Sequence, residues 1–201
     1  MQGVFVNRSA LPRYKQIWDV SVVIKYLKSL GENTQLSLQD LTMKTTMLLA
    51  LVTGQRCQTI QVLNIEQMVK SDDIWSSHIN KMLKTSRPGK HFGKIEIKAF
   101  TADKVICPVT VLKEYVARTL PLRKNNFQLL LSYQKPHKPV SSENIGKWIK
   151  KTLTKAGIDI KVFGAHSTRS ASTSAVKVGN MPISMVSHVR QKSTFAFHYN
   201  I

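Results

Sequence analysis

The sequence predicts an α+β domain, mainly helical, with one small antiparallel β-hairpin or sheet. Three observations carry that expectation. Apolar residues recur at helical spacing along most of the chain, and a single stretch from Glu66 to Lys98 turns strand-like around a Pro-Gly turn. With 201 residues, 42% of them apolar, there is enough for one packed core. Residues 1–14 read as an arm or linker, and 15–201 as the domain itself.

Taken in order, Trp18, Val20, Val23 and Leu27 fall at helix-like spacing. "SLQD" then forms a capping box, the Ser37 hydroxyl covering a free amide and Asp40 favouring the positive helix end. It opens a segment from Leu38 to about Thr53 that is apolar nearly all round, hence a buried helix, and Gly54 ends it. Arg56 follows at once beside that buried helix, an odd place for a charge without a task. "KSDDIW" reads as a turn. "DIWSSHINKMLK" and "KIEIKAF" flank "TSRPGKHFG" as a hairpin with Lys84 near its tip.

"CPVTVLKEYVART" resumes helix, with Pro108 in the first turn and Val109, Leu112 and Val116 on one side. In "SSENIGKWIKKTLTKAG", Ile145, Trp148, Ile149 and Leu153 share a face, while Lys147, Lys150, Lys151 and Lys155 take the other. "AHSTRSASTSAVKVG" presents Ala171, Ser174, Ala175 and Val178 as a narrow face of small residues suited to close packing, and Gly179 stops it. "MPISMV" and "STFAFHY" start two further short helices.

Charge narrows the function. Thirty Lys and Arg against eleven Asp and Glu give a net charge of +19, which opposes compaction unless a polyanion is near. Nucleic acid is the expected partner, and Lys90, Lys147, Lys150 and Lys151 are candidate contacts to its backbone. Cys57 and Cys107 lie far apart without ligands at metal spacing, and the acids are scattered, so neither a metal nor another cofactor is expected. No apolar run is long enough to span a bilayer, and the N-terminus lacks a signal-peptide core, which predicts a soluble intracellular protein.

His166 and Arg169 alone signify little. Their company says more: Arg56 after a buried helix, Lys84 on a hairpin and Tyr199 in a terminal aromatic helix. Metal-free phosphodiester chemistry needs such a set, with two guanidiniums for the phosphate oxygens, proton donors and acceptors, and a nucleophile. "TGQRCQTI", "LKTSRPGK", "AHSTRSASTSA" and "KSTFAFHYN" resemble, in order, the four catalytic segments of the tyrosine recombinase (phage integrase) family, in wording closest to the eukaryotic Crypton-type recombinases.

That resemblance implies the DNA breaking-rejoining catalytic fold, double-stranded DNA as partner, a synaptic homo-tetramer on it, and a nuclear location. It implies that Arg56 and Arg169 grip the scissile phosphate and that Tyr199 attacks phosphorus. Lys84, chosen among Lys81, Arg87 and Lys90, would protonate the leaving oxygen, and His166 would exchange a proton or bond the phosphate. The family's usual His or Trp before the tyrosine is Val189 here, with His188 one residue off as a substitute. The resemblance also implies that the family's preceding core-binding domain is absent and its C-terminal segment short. A DNA-binding module that keeps the fold without turnover is the alternative expectation.

Overall fold

The computed structural model describes residues 17–79 and 94–178, with side chains as far as residue 175. Six helices and one small sheet make up the described regular structure, together with short 3-10 turns at Asn33–Gln35 and Leu120–Leu122. Helix α2 (Leu38–Thr53) stands at the centre and packs against α4 (Pro108–Thr119), α5 (Ser142–Lys155) and α6 (Ser167–Val178).

The apolar sequence of α2 explains its place. Every side chain from Leu41 to Thr53 is buried. Its threonines avoid an unmet hydroxyl by bonding back one turn, as Thr45 does to the Leu41 carbonyl and Thr46 to that of Thr42. At its start Ser37 Oγ accepts from the Asp40 amide at 3.1 Å and donates to the Asp40 carboxylate at 2.8 Å. At its end Gly54 adopts φ 57° and ψ 22°, the left-handed geometry that glycine takes without steric cost.

Helix α1 (Val20–Ser29) buries Val20, Val23 and Leu27, with Trp18 buried just before its Asp19 cap. Strands β1 (Met68–Lys70), β2 (Ile74–Ser77) and β3 (Ile95–Lys98) form an antiparallel sheet in chain order. Its register pairs Met68 with Ser77, and Trp75 with Ile97. The acidic pair Asp72–Asp73 turns β1 into β2, as the sequence predicts; the tip between β2 and β3 lies outside the described residues.

Pro108 occupies the first turn of α4, whose Val109, Val111, Leu112 and Tyr115 are buried. In α5 the expected apolar stripe is all buried, and Thr152 joins it. Helix α6 buries Ala171 and Ala175 as expected, but its third small contact is Ser172 rather than Ser174, because Ser172 donates a hydrogen bond to the Leu51 carbonyl of α2. The helices expected at "MPISMV" and "STFAFHY", and the Gly179 stop, lie outside the described residues.

Candidate active site

Helix α2 and the short helix α3 (Cys57–Gln61) carry the first arginine. Gly54 turns the chain, and Arg56 becomes the N-cap of α3 in extended geometry. The Arg56 carbonyl accepts from the amides of Thr59 at 2.8 Å and Ile60 at 3.0 Å. Thr59 and Ile60 are themselves buried, so the backbone of Arg56 is anchored. Its side chain is exposed and makes no salt bridge among the described residues. A charge beside the most buried helix is therefore tolerated because the αL turn at Gly54 carries it outward.

Helix α6 carries the second half. His166 stands just ahead of it and Arg169 lies in its first turn; both side chains are exposed, and a spacing of three puts them on one side. The bond from Ser172 to Leu51 and the burial of Ala171 hold this helix directly against α2.

These two halves meet. Arg56, His166 and Arg169 line one pocket of about 190 Å³, together with Gln55, Cys57 and Thr168. Ala50 of α2, Ile149 of α5 and Ala165 complete the lining among the described residues, and none of these is an acid. Two guanidiniums and an imidazole around a small acid-free pocket make a site for a compact anion such as a phosphate group. Burial pushes the Cys57 thiol up from its ordinary value, which keeps it protonated and unsuited to attack. Thr168 is 2% exposed, and its hydroxyl finds no hydrogen-bond partner among the described residues. No group of three His, Cys, Asp or Glu side chains among the described residues is placed to hold a metal ion.

Lys84, Lys90, His188, Val189 and Tyr199 lie outside the described residues. The lysines of α5 are described, and the structure separates them. Lys147 pairs with Glu143 at 3.0 Å, and Lys155 with Asp40 at 3.2 Å. Asp40 is held below the usual carboxylate range, first by the Ser37 hydroxyl and, against the opposing effect of burial, by Lys155, with Lys151 adding charge. Lys155 is thus tied to the α2 side, while Lys151 makes no ion pair among the described residues. Lys150 makes no ion pair among the described residues. It follows Ile149 of the pocket lining and lies one turn beyond Gly146, where an added Cβ would come within 3.9 Å of both Ala165 and Cys57. In helical projection it is the α5 lysine closest to the face that carries Gly146 and Ile149.

With that geometry in place, comparison with known proteins is decisive about kinship. Residues 23–190 match the Phage integrase family. The chain belongs to that family. No curated protein matches it by sequence. Among solved structures, the XerA recombinase superposes with a TM-score of 0.61 at 16% identity, over 91% of this chain and 58% of that one. The XerH site-specific recombinase bound to difH substrate gives 0.57 at 14%, over 86% and 46%. The catalytic core of lambda integrase gives 0.50 at 18%, over 85% and 90%. The chain thus spans about half the length of the Xer recombinases and most of the lambda core. At these identities the likeness establishes the tyrosine recombinase catalytic fold, mostly helical with a three-stranded antiparallel sheet. Within the span that matches the family, the pocket brings together Arg56, His166 and Arg169.

Proposed function

We propose that this chain is a tyrosine recombinase catalytic domain that cleaves and rejoins DNA strands. The observation that carries the reading is the convergence of Arg56, His166 and Arg169 on one acid-free pocket. Within it, Arg56 and Arg169 hold the two non-bridging oxygens of the scissile phosphate. Their rigid forks fit the trigonal-bipyramidal transition state better than the tetrahedral ground state.

Tyr199 Oη attacks phosphorus and passes its proton to His166. The bond from phosphorus to the 5′ oxygen breaks, and Lys84 delivers a proton to that oxygen, leaving a 3′-phosphotyrosine and a free 5′-hydroxyl. Attack by another 5′-hydroxyl reverses these steps and conserves the bond. No sum of charge changes, since each proton lost is matched by one gained. His188 stands in for the ring that the family places at Val189. Solved integrase-family structures include a lambda integrase tetramer bound to a Holliday junction, which supports assembly of this chain as a tetramer on double-stranded DNA. The Crypton-like wording of "HSTRSAS" supports mobile-element integration in a nucleus as its setting.

A nicked suicide duplex tests the reading. The protein is expected to form a covalent adduct that survives denaturation and is lost in Tyr199→Phe. DNA binding without any adduct would replace the enzyme by a DNA-binding module of the same fold. An adduct that persists in Tyr199→Phe would remove Tyr199 from its role.

A further inference from the structure

The turn that carries His166 is tied to a residue 149 positions away in sequence. Trp18 Nε1 donates a hydrogen bond of 2.9 Å to Ser167 Oγ. Ser167 Oγ in turn donates to the Gly164 carbonyl at 2.7 Å, and that carbonyl also accepts the Ser167 amide at 2.9 Å. Trp18 is 5% exposed and Ser167 3%, so water does not compete for these groups.

The chemistry of the three groups makes the arrangement directional. An indole N–H can only donate, and when buried it needs an acceptor. The serine hydroxyl has one proton, which is committed to Gly164, leaving its lone pairs for Trp18. The Gly164 oxygen uses both lone pairs on Ser167. Each group in the series from Trp18 through Ser167 to Gly164 is therefore oriented by its neighbour. His166 sits inside the turn that the series closes, and Arg169 follows in the first turn of α6. Helix α1, which begins just after Trp18, packs against both α5 and α6.

We infer that Trp18 is a positioning residue for the phosphate site: through Ser167 it sets the turn that aims His166 and Arg169. Trp18 touches neither phosphate nor reacting atoms in this account, which rests on the reading of the pocket given above. A consequence is that the direction in which the chain enters α1 is coupled to the geometry of the pocket. Small displacements matter at such a site, since misplacement by about 1 Å costs roughly a hundredfold in rate.

The experiment compares wild type with Trp18→Phe, which keeps a ring but removes the N–H donor, and with Ser167→Ala and the double variant. Two readouts are taken. The imidazole resonances of the free protein are followed by NMR, with His137, which bonds the Ser132 carbonyl and is not part of the pocket lining, as internal control. Adduct formation on the suicide duplex is followed in a single turnover alongside duplex affinity. Trp18→Phe is expected to shift or broaden the His166 resonance while leaving that of His137 in place. It should slow adduct formation about tenfold with duplex affinity unchanged within twofold. The double variant should be no slower than the slower single one, because both break the same series.

An unmoved His166 resonance in folded Trp18→Phe and Ser167→Ala would overturn the inference. So would losses that simply add in the double variant. Should wild type form no adduct, the strand-transfer reading fails alone, and the resonances still decide whether Trp18 positions His166.

Discussion

Two arginines in two regions of the molecule show how one residue type is used in opposite ways. Arg123, just after the Leu120–Leu122 turn, is 4% exposed and spends its terminal NH donors inside the protein, while its Nε finds no partner among the described residues. It bonds the carbonyls of Gln128 at 2.6 Å and Leu129 at 2.9 Å, and the Thr119 hydroxyl at 2.7 Å. Burial pulls its guanidinium below the ordinary value, and no carboxylate pairs with it among the described residues. Arg56 is the reverse: its backbone is anchored, while its side chain is exposed at the pocket. A fork whose terminal donors bond two carbonyls and a hydroxyl holds a loop in place. A fork left facing a pocket that no acid lines among the described residues suits the phosphate-holding role proposed for Arg56.

Breaking each fork should therefore separate stability from activity. Arg56→Ala is expected to lower single-turnover adduct formation on the order of a hundredfold to a thousandfold. It should change unfolding free energy in urea by no more than about 0.5 kcal/mol. Arg123→Leu should cost about 3 kcal/mol by the same unfolding measurement, because buried carbonyls lose their donors. Equal stability losses for the two variants would erase the contrast.

Lys44 extends the comparison to a buried ammonium. It is fully buried in α2, donates to the Gly31 carbonyl at 3.2 Å, and burial lowers its pKa to about 8, with Glu32 and Asp103 opposing. Its folded pKa lies below its unfolded one, so the unfolded chain binds the extra proton between about pH 8 and pH 10.5. The penalty is present in full below pH 8 and relieved as pH rises through that window, by up to roughly 3 kcal/mol. Lys44→Met should flatten this rise in urea unfolding measured from pH 7 to 10.5. An unchanged slope would show that Lys44 is not its source.

Smaller effects test the division among the α5 lysines. Lys150→Ala should weaken duplex binding across all sequences and reduce the slope of log affinity against log salt by about one. Lys155→Ala, whose charge is tied to Asp40, should leave that slope within a few tenths. The reverse ranking would put the DNA on the other edge of α5. Smallest of all, Thr168→Val removes a buried hydroxyl without a partner among the described residues, and should raise stability by up to about 1 kcal/mol. A loss of stability would mean the hydroxyl is satisfied.

Much of the fold was legible because its signals are local. The Ser37–Asp40 cap, the Gly54 stop, Pro108 at the start of α4 and the apolar stripe of α5 are each written within one or two helical turns. The paired residues of the site were legible as motifs, since Arg56 and the His166–Arg169 pair each sit at a helix start. What was hidden depends on long-range contact. Nothing near Ser167 in sequence announces Trp18, and nothing in α6 favours Ser172 over Ser174 until α2 lies against it. The solvent exposure of Arg56 was hidden as well, because it follows from the turn geometry at Gly54 and not from the apolar run before it.

The central claim is that Arg56 and Arg169 jointly hold a reacting phosphate. A structure of the protein with nicked duplex DNA and orthovanadate tests it most directly, since vanadate adopts the trigonal-bipyramidal geometry of the transition state. The account predicts vanadate in the pocket, both guanidiniums bonded to its equatorial oxygens at about 2.7–2.9 Å, and Tyr199 Oη at an apical position. Vanadate bound elsewhere, or held in the pocket by only one of the two arginines, would contradict it.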